Sequence, residues 1–181
     1  LFSLVLGLLM GWVSKDLENG SVVGAIVSNL GIWVFVSALL AVYSQDGFRA
    51  ALHVFVYLCG VISSYFTHQY LLGGTVTGRT LIYWVIFAAI GALVGFICHN
   101  ACRKEWLGAA CAAVPLSLLA AEAYPIYTGW QMPLFFDVLC AVILYMVMAR
   151  GKVQKLMPFV IVFTFALVYF DVLSRIFGGW I

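Results

Sequence analysis

Long apolar runs separated by short polar breaks set the pattern of this chain. Residues 1 to 14 are apolar almost throughout and end at Lys15, Asp16, Glu18, Asn19 and Gly20. A second run covers about 21 to 43 and closes at Ser44, Gln45, Asp46, Gly47 and Arg49; a third covers about 50 to 72 and closes at Gly73, Gly74 and Gly78. The fourth extends from about 80 to 101, before Arg103, Lys104 and Glu105, and the fifth from Trp106 to Tyr124 and Pro125, with Pro115 inside it. The sixth runs from Pro133 to Ala149, the turn Arg150 to Lys155 is basic, and a seventh run covers 157 to 177. A hydrocarbon layer of about 30 Å is crossed by roughly 20 helical residues. Lipid cannot satisfy open backbone groups, so such runs are helices rather than unpaired strands. The pattern predicts an all-α polytopic membrane bundle of about seven (six to seven) transmembrane helices, with residues 1–181 forming a single integral membrane domain.

Composition agrees with the pattern. Hydrophobic residues make up 65% of the chain and charged residues 9%, where a soluble domain carries roughly 25% charged residues. The net charge of +2 is scattered among the breaks, which excludes the basic stripe of a nucleic-acid-binding protein. Cys59, Cys98, Cys102, Cys111 and Cys140 all sit within or at the ends of apolar runs, where cysteine acts as a small hydrophobe rather than a disulfide partner. The sequence opens at Leu1 without Met or a basic leader, as a trimmed start would, and no cleavable signal peptide is expected.

Lys and Arg are retained on the cytoplasmic side of inner-membrane proteins. Breaks two, four and six hold Arg49, Arg103, Lys104, Arg150, Lys152 and Lys155, against Lys15, Arg79 and Arg175 on the other side. The first residue is therefore expected inside and the last outside, in a bacterial inner membrane.

Glycines spaced by four recur at Gly7 and Gly11, Gly20 and Gly24, and Gly91 and Gly95. Such spacing lets helix backbones approach closely. Two readings stand: packing inside the bundle, or docking of a partner subunit on the Gly7 and Gly11 face.

Ionisable residues within a span are costly and mark sites. With the orientation above, Glu122, Asp137, Asp171 and Arg175 fall near the outer ends of the last three spans. His68, with Tyr65 and Gln69, and Trp84, with Arg79 and Tyr83, fall at the same level, as do Tyr124, Tyr127 and Trp130. These groups predict an outward-facing ligand site in which carboxylates and aromatic faces hold a cationic or flat organic solute. The competing reading is an interfacial aromatic belt, with Asp171 and Arg175 forming a simple i,i+4 pair. Asn29, Ser63 and Ser64 extend the site inward or bond between helices.

Cys98 and Cys102 share a helical face, but His99 points away and no fourth ligand is evident, so no metal is expected. No HExxH, GxSxG, paired-acid or phosphate-loop motif occurs, so neither an enzyme nor a cofactor is expected.

The compact bundle, the outer polar layer, and Gly7 and Gly11 on the first helix resemble in plan the substrate-capture (S) subunit of energy-coupling-factor transporters. That resemblance implies solute capture near the outer surface and docking of a coupling subunit on the first helix. The segments Gly7 to Trp12, Asn29 to Trp33 and Gly91 to Gly95 are also similar to small bacterial multi-pass proteins of unassigned function. The expected function is binding, and help in transport, of a small organic solute from the outer side. The alternative is a non-catalytic membrane interaction or assembly subunit of a larger complex.

Overall fold

The computed structural model describes residues 1–17, 22–102, 106–123 and 132–148. All regular structure among them is helical: α1 (Phe2–Leu17), α2 (Val22–Val27), α3 (Leu30–Val42), α4 (Gly47–Leu71), α5 (Gly78–Cys98), a 3-10 turn (His99–Cys102), α6 (Trp106–Ala123) and α7 (Met132–Met148). Gly47–Leu71, Gly78–Cys102 and Trp106–Ala123 are long and apolar enough to cross a membrane. Leu30–Val42 and Leu134–Met148 are apolar but shorter. The run expected at 157 to 177 lies outside the described residues.

The distribution of side-chain size on α1 fits a lipid surround. Its buried positions are Ser3, Gly7, Gly11 and Ser14, while Phe2, Val5, Leu9 and Trp12 are exposed. A helix in water buries its large apolar residues, whereas a helix in lipid gains nothing by doing so and turns small residues toward its neighbours. The neighbour is α4. A Cβ at Gly7 would overlap the Tyr57 carbonyl, and one at Gly11 would overlap the Val61 carbonyl and the Ser64 hydroxyl. Gly60 completes the contact from the α4 side, with Leu4 O and Leu8 N about 3 Å from where its Cβ would stand. Contacts rise in step along both helices, so α1 and α4 run parallel. The glycine face expected to receive a partner subunit is therefore covered by the chain's own α4. Gly91 and Gly95 pack in the opposite sense, against Leu58 and Val54 of the antiparallel α4.

The run expected to form one helix over 21 to 43 is broken. Gly24 O accepts from Ser28 N at 2.9 Å and Ile26 O from Asn29 N at 3.2 Å, after which Asn29 turns extended (φ −71°, ψ 140°) and α3 begins. Serine and asparagine bond to nearby backbone in non-helical conformations, and the flanking Gly24 and Gly31 contribute little helix propensity. Beyond the break, α3 lies between two halves of the core. Trp33 and Ala41 pack with Val54, Tyr57, Leu58 and Val61 of α4. Ala38 packs with Leu116 and Leu119 of α6 and Cys140 and Leu144 of α7.

Overfilling a tight contact costs about 1–3 kcal/mol. Gly7→Ala and Gly11→Ala are expected to lower the melting temperature of the detergent-solubilised chain. Gly78→Ala, where a Cβ meets nothing within 4 Å, should leave it unchanged; equal melting of all three would remove the close α1–α4 approach.

Candidate functional site

The break in the second apolar run organises the surroundings on both of its sides. At the end of α2, the Val27 carbonyl has lost its helical donor. It accepts from Trp33 Nε1 at 3.1 Å, and Ser14 Oγ lies 2.8 Å away, sharing its one proton with Met10 O at 2.6 Å. Ser14 is fully buried, and Gly24 of α2 lies close against Leu17 at the end of the same helix.

Trp33, fixed by this bond, forms one wall of a cavity of about 330 Å³. Tyr65 and Phe66 of α4 and Trp84 of α5 form the others. Their rings meet edge-on or tilted: Trp33–Trp84 centroids are 5.7 Å apart, Trp33–Tyr65 6.1 Å, Tyr65–Phe66 5.5 Å and Phe66–Trp84 6.3 Å. That geometry matches the electrostatic preference of aromatic quadrupoles. The polar edge consists of Ser28 from the break, Gln69, Thr75 and Thr77 from the α4–α5 connection, and Thr80 from the first turn of α5.

That connection is held in place locally. Gly73, at φ 80°, ends α4 in the left-handed conformation that glycine adopts without strain. The Gly73 and Gly74 amides donate to Tyr70 O and Gln69 O, each at 3.0 Å, which closes the helix in a Schellman motif. Thr77 caps α5 by accepting from the Thr80 amide at 3.3 Å, and the two hydroxyls bond at 2.7 Å.

On the other side of the break stands Asp137 of α7, with none of its surface exposed. Its Oδ2 accepts from Asn29 Nδ2 at 2.6 Å, while its Oδ1 is buried with no hydrogen-bond partner. Asn29 occupies the N-cap position of α3 without capping it. The carboxyl arrives there from α7 instead, against Gly31 in the first turn, where a Cβ would overlap it. The first turn of a helix presents unpaired amides and a partial positive charge, so α7 places a carboxyl beside that end in trans, bonded to the Asn29 side chain rather than to the amides. Glu122 of α6 lies near enough for its charge to act on Asp137.

Of the residues nominated from sequence, Tyr65 and Trp84 thus come together in the cavity, and Asp137 stands beside the break, with Glu122 within electrostatic range of it. Glu122 and Asp137 are not among the residues that line the aromatic cavity. His68 turns away from it as well. Its ring stacks on Trp12 with centroids 4.2 Å apart and planes 9° apart, Nδ1 lies 3.3 Å from Trp12 O, and Nε2 lies 3.9 Å from Asp16. These contacts fasten α4 to α1. Tyr124, Trp130, Asp171 and Arg175 lie outside the described residues. Sequence reasoning missed Trp33, Phe66 and the three threonines. Ser28 next to Asn29, between two glycines, was the available signal that a helix end and its free carbonyl needed partners there.

Comparison with family models, with curated proteins and with solved structures finds no match to this chain.

Gly31 and Asp137 touch, so their effects should couple. Gly31→Ala alone is expected to cost about 1–3 kcal/mol by overpacking. In the background of Asp137→Ala, which vacates that space, the same change should cost much less. Additive losses in the double-mutant cycle, read by denaturation in mild detergent, would show that the two do not share the site.

Proposed function

We propose that this chain is a multi-pass protein of the bacterial inner membrane that binds a small, uncharged, ring-bearing solute from the outer side and helps move it across. The observation that carries this reading is the cavity walled by Trp33, Tyr65, Phe66 and Trp84 and edged by Ser28, Gln69 and three threonines. Its volume of about 330 Å³ falls at the lower end of the range of small-molecule sites. Four aromatic walls offer stacking and edge contacts to a flat or saturated ring. The hydroxyls and the carboxamide offer both donors and acceptors, so the solute is expected to carry hydroxyl, carbonyl or ring-nitrogen groups. Charge in the lining argues against a cation: among the described residues no Asp or Glu lines the cavity, and Lys15 Nζ stands over the Tyr65 ring at 5.1 Å.

The cavity lies beneath the α4–α5 connection, which the distribution of Lys and Arg assigns to the outer face. A pocket beneath that connection, next to an interrupted helix, suits capture by a solute carrier. On this reading the plan still resembles a substrate-capture subunit, in a bundle of six to seven spans. Any coupling subunit would have to dock elsewhere than on Gly7 and Gly11, which face α4.

Thermal-shift screening of the purified chain should find stabilisation by neutral hydroxylated or heteroaromatic rings and none by alkyl amines. Loss of one aromatic wall removes about 0.5–1.5 kcal/mol beyond its contact area. Trp84→Leu or Tyr65→Leu should therefore weaken binding of the hit by about tenfold, with little change in the melting temperature of the free protein. Stabilisation by amines that depends on Glu122 instead would overturn the assignment of the cavity.

A further inference from the structure

We propose that Asp137 is a proton-binding carboxyl, and that its proton occupancy sets the shape of the aromatic cavity through the break at Ser28 and Asn29. An ionised carboxylate in an apolar interior is tolerated only with a counter-ion or a full set of donors; otherwise it takes up a proton. Asp137 is wholly buried, has a single donor in Asn29, and leaves Oδ1 unpartnered against the first turn of α3. No ion pair reaches it among the described residues.

The groups around it favour a proton over a metal ion. Of the elements packed against α7, α2 and α3 carry no titratable side chain, α6 brings Glu122, and α7 itself adds Cys140 one turn on. Among the described residues no three His, Cys, Asp or Glu side chains gather, and the nearest amide presents a donor rather than an oxygen ligand. Sodium or magnesium would need several oxygens.

The link to the cavity is covalent and short. Ser28 lines the cavity and Asn29 bonds to Asp137; Leu30 lines the cavity and Gly31 touches Asp137. Trp33, one turn further, closes the cavity and holds the carbonyl of the residue before the break. When the proton leaves, the full negative charge strengthens the bond from Asn29 and the pull on the α3 amides. Both act on Asn29 and Gly31, which alternate along the chain with the cavity-lining Ser28 and Leu30. Proton occupancy and solute occupancy are thereby linked, and the linkage is reciprocal. The coupling rests on the solute-binding reading above; the proton site does not.

The test needs no solute. Infrared difference spectra of the full chain in lipid, recorded from mildly acidic to mildly alkaline pH, should show an aspartic-acid C=O band. The band shifts with isotope-labelled aspartate and disappears on loss of the proton. It should be lost in Asp137→Asn, retained in Asp171→Asn and displaced in its midpoint by Glu122→Gln. Tryptophan emission should follow the same midpoint, and that response should vanish in Asp137→Asn and shrink in Trp84→Phe. A wild-type spectrum without a titrating aspartic-acid band overturns the proton site, whether or not the Asp137→Asn chain folds. A band that persists in Asp137→Asn does the same. A titrating band with pH-independent tryptophan emission overturns the coupling. If both respond but no ring-bearing solute binds, it is the solute reading that fails.

Discussion

The structure turns on a carboxyl group placed where the chain cannot solvate it. Asp137 stands in the apolar interior against the first turn of α3, held by one bond from Asn29. A helix that continued through residues 28 and 29 would have used its own carbonyls to satisfy the amides of that turn. The turn would then have had no use for an anion. The interruption and the carboxyl therefore explain each other: the break exposes a positive helix end, and the acid is tolerable only because that end is there.

The dependence extends outward from this point. Interrupting a helix in lipid also frees carbonyls on the preceding side, and such groups must find donors within the protein. For Val27 the donors are Ser14 of α1 and Trp33 of α3. Ser14 shares the small face of α1 with Gly7 and Gly11, which lie against α4, and Gly24 of α2 lies close against Leu17 at the end of α1. Trp33, oriented by the same carbonyl, becomes the common wall of the aromatic cavity. A stripe of small residues on one helix thus contributes to the position of an indole on another.

Much of this arrangement was legible in the sequence, and the parts that were not share a cause. The helices α4, α5 and α6 were found within a few residues of their observed ends, because long apolar runs bounded by Asp46, Gly73 and the 103–105 break leave little choice. Tyr65 and Trp84 were assigned to a common level, and they do share a cavity. The four-residue spacing of Gly7 and Gly11 predicted close packing but was silent on which helix would fill it, since spacing describes one face and not its neighbour. The interruption at Ser28 and Asn29 was missed because apolarity continues on both sides of it, and hydropathy does not register a backbone that turns. His68 was misplaced for a related reason. A histidine at the right depth still has to choose a side of its helix, and Trp12 with its carbonyl and Asp16 made the α1 side the better one.

The separation of the carboxylates from the aromatic cavity changes what the acids can be for. Two acidic groups close to one another in a medium of low polarity repel strongly when both are charged. Glu122 lies within electrostatic range of Asp137. The aromatic cavity lies on the other side of the broken helix, and its described lining is neutral. What the acids can exchange without opening the interior is a proton, the smallest of cations, which changes the charge at the head of α3 without needing room. A buried charge that comes and goes at a helix end, with the other side of the same turn forming the wall of a solute-sized space, has the physical elements for making one occupancy depend on the other. The break serves both: its α3 end meets the acid, and its other side forms part of the cavity wall.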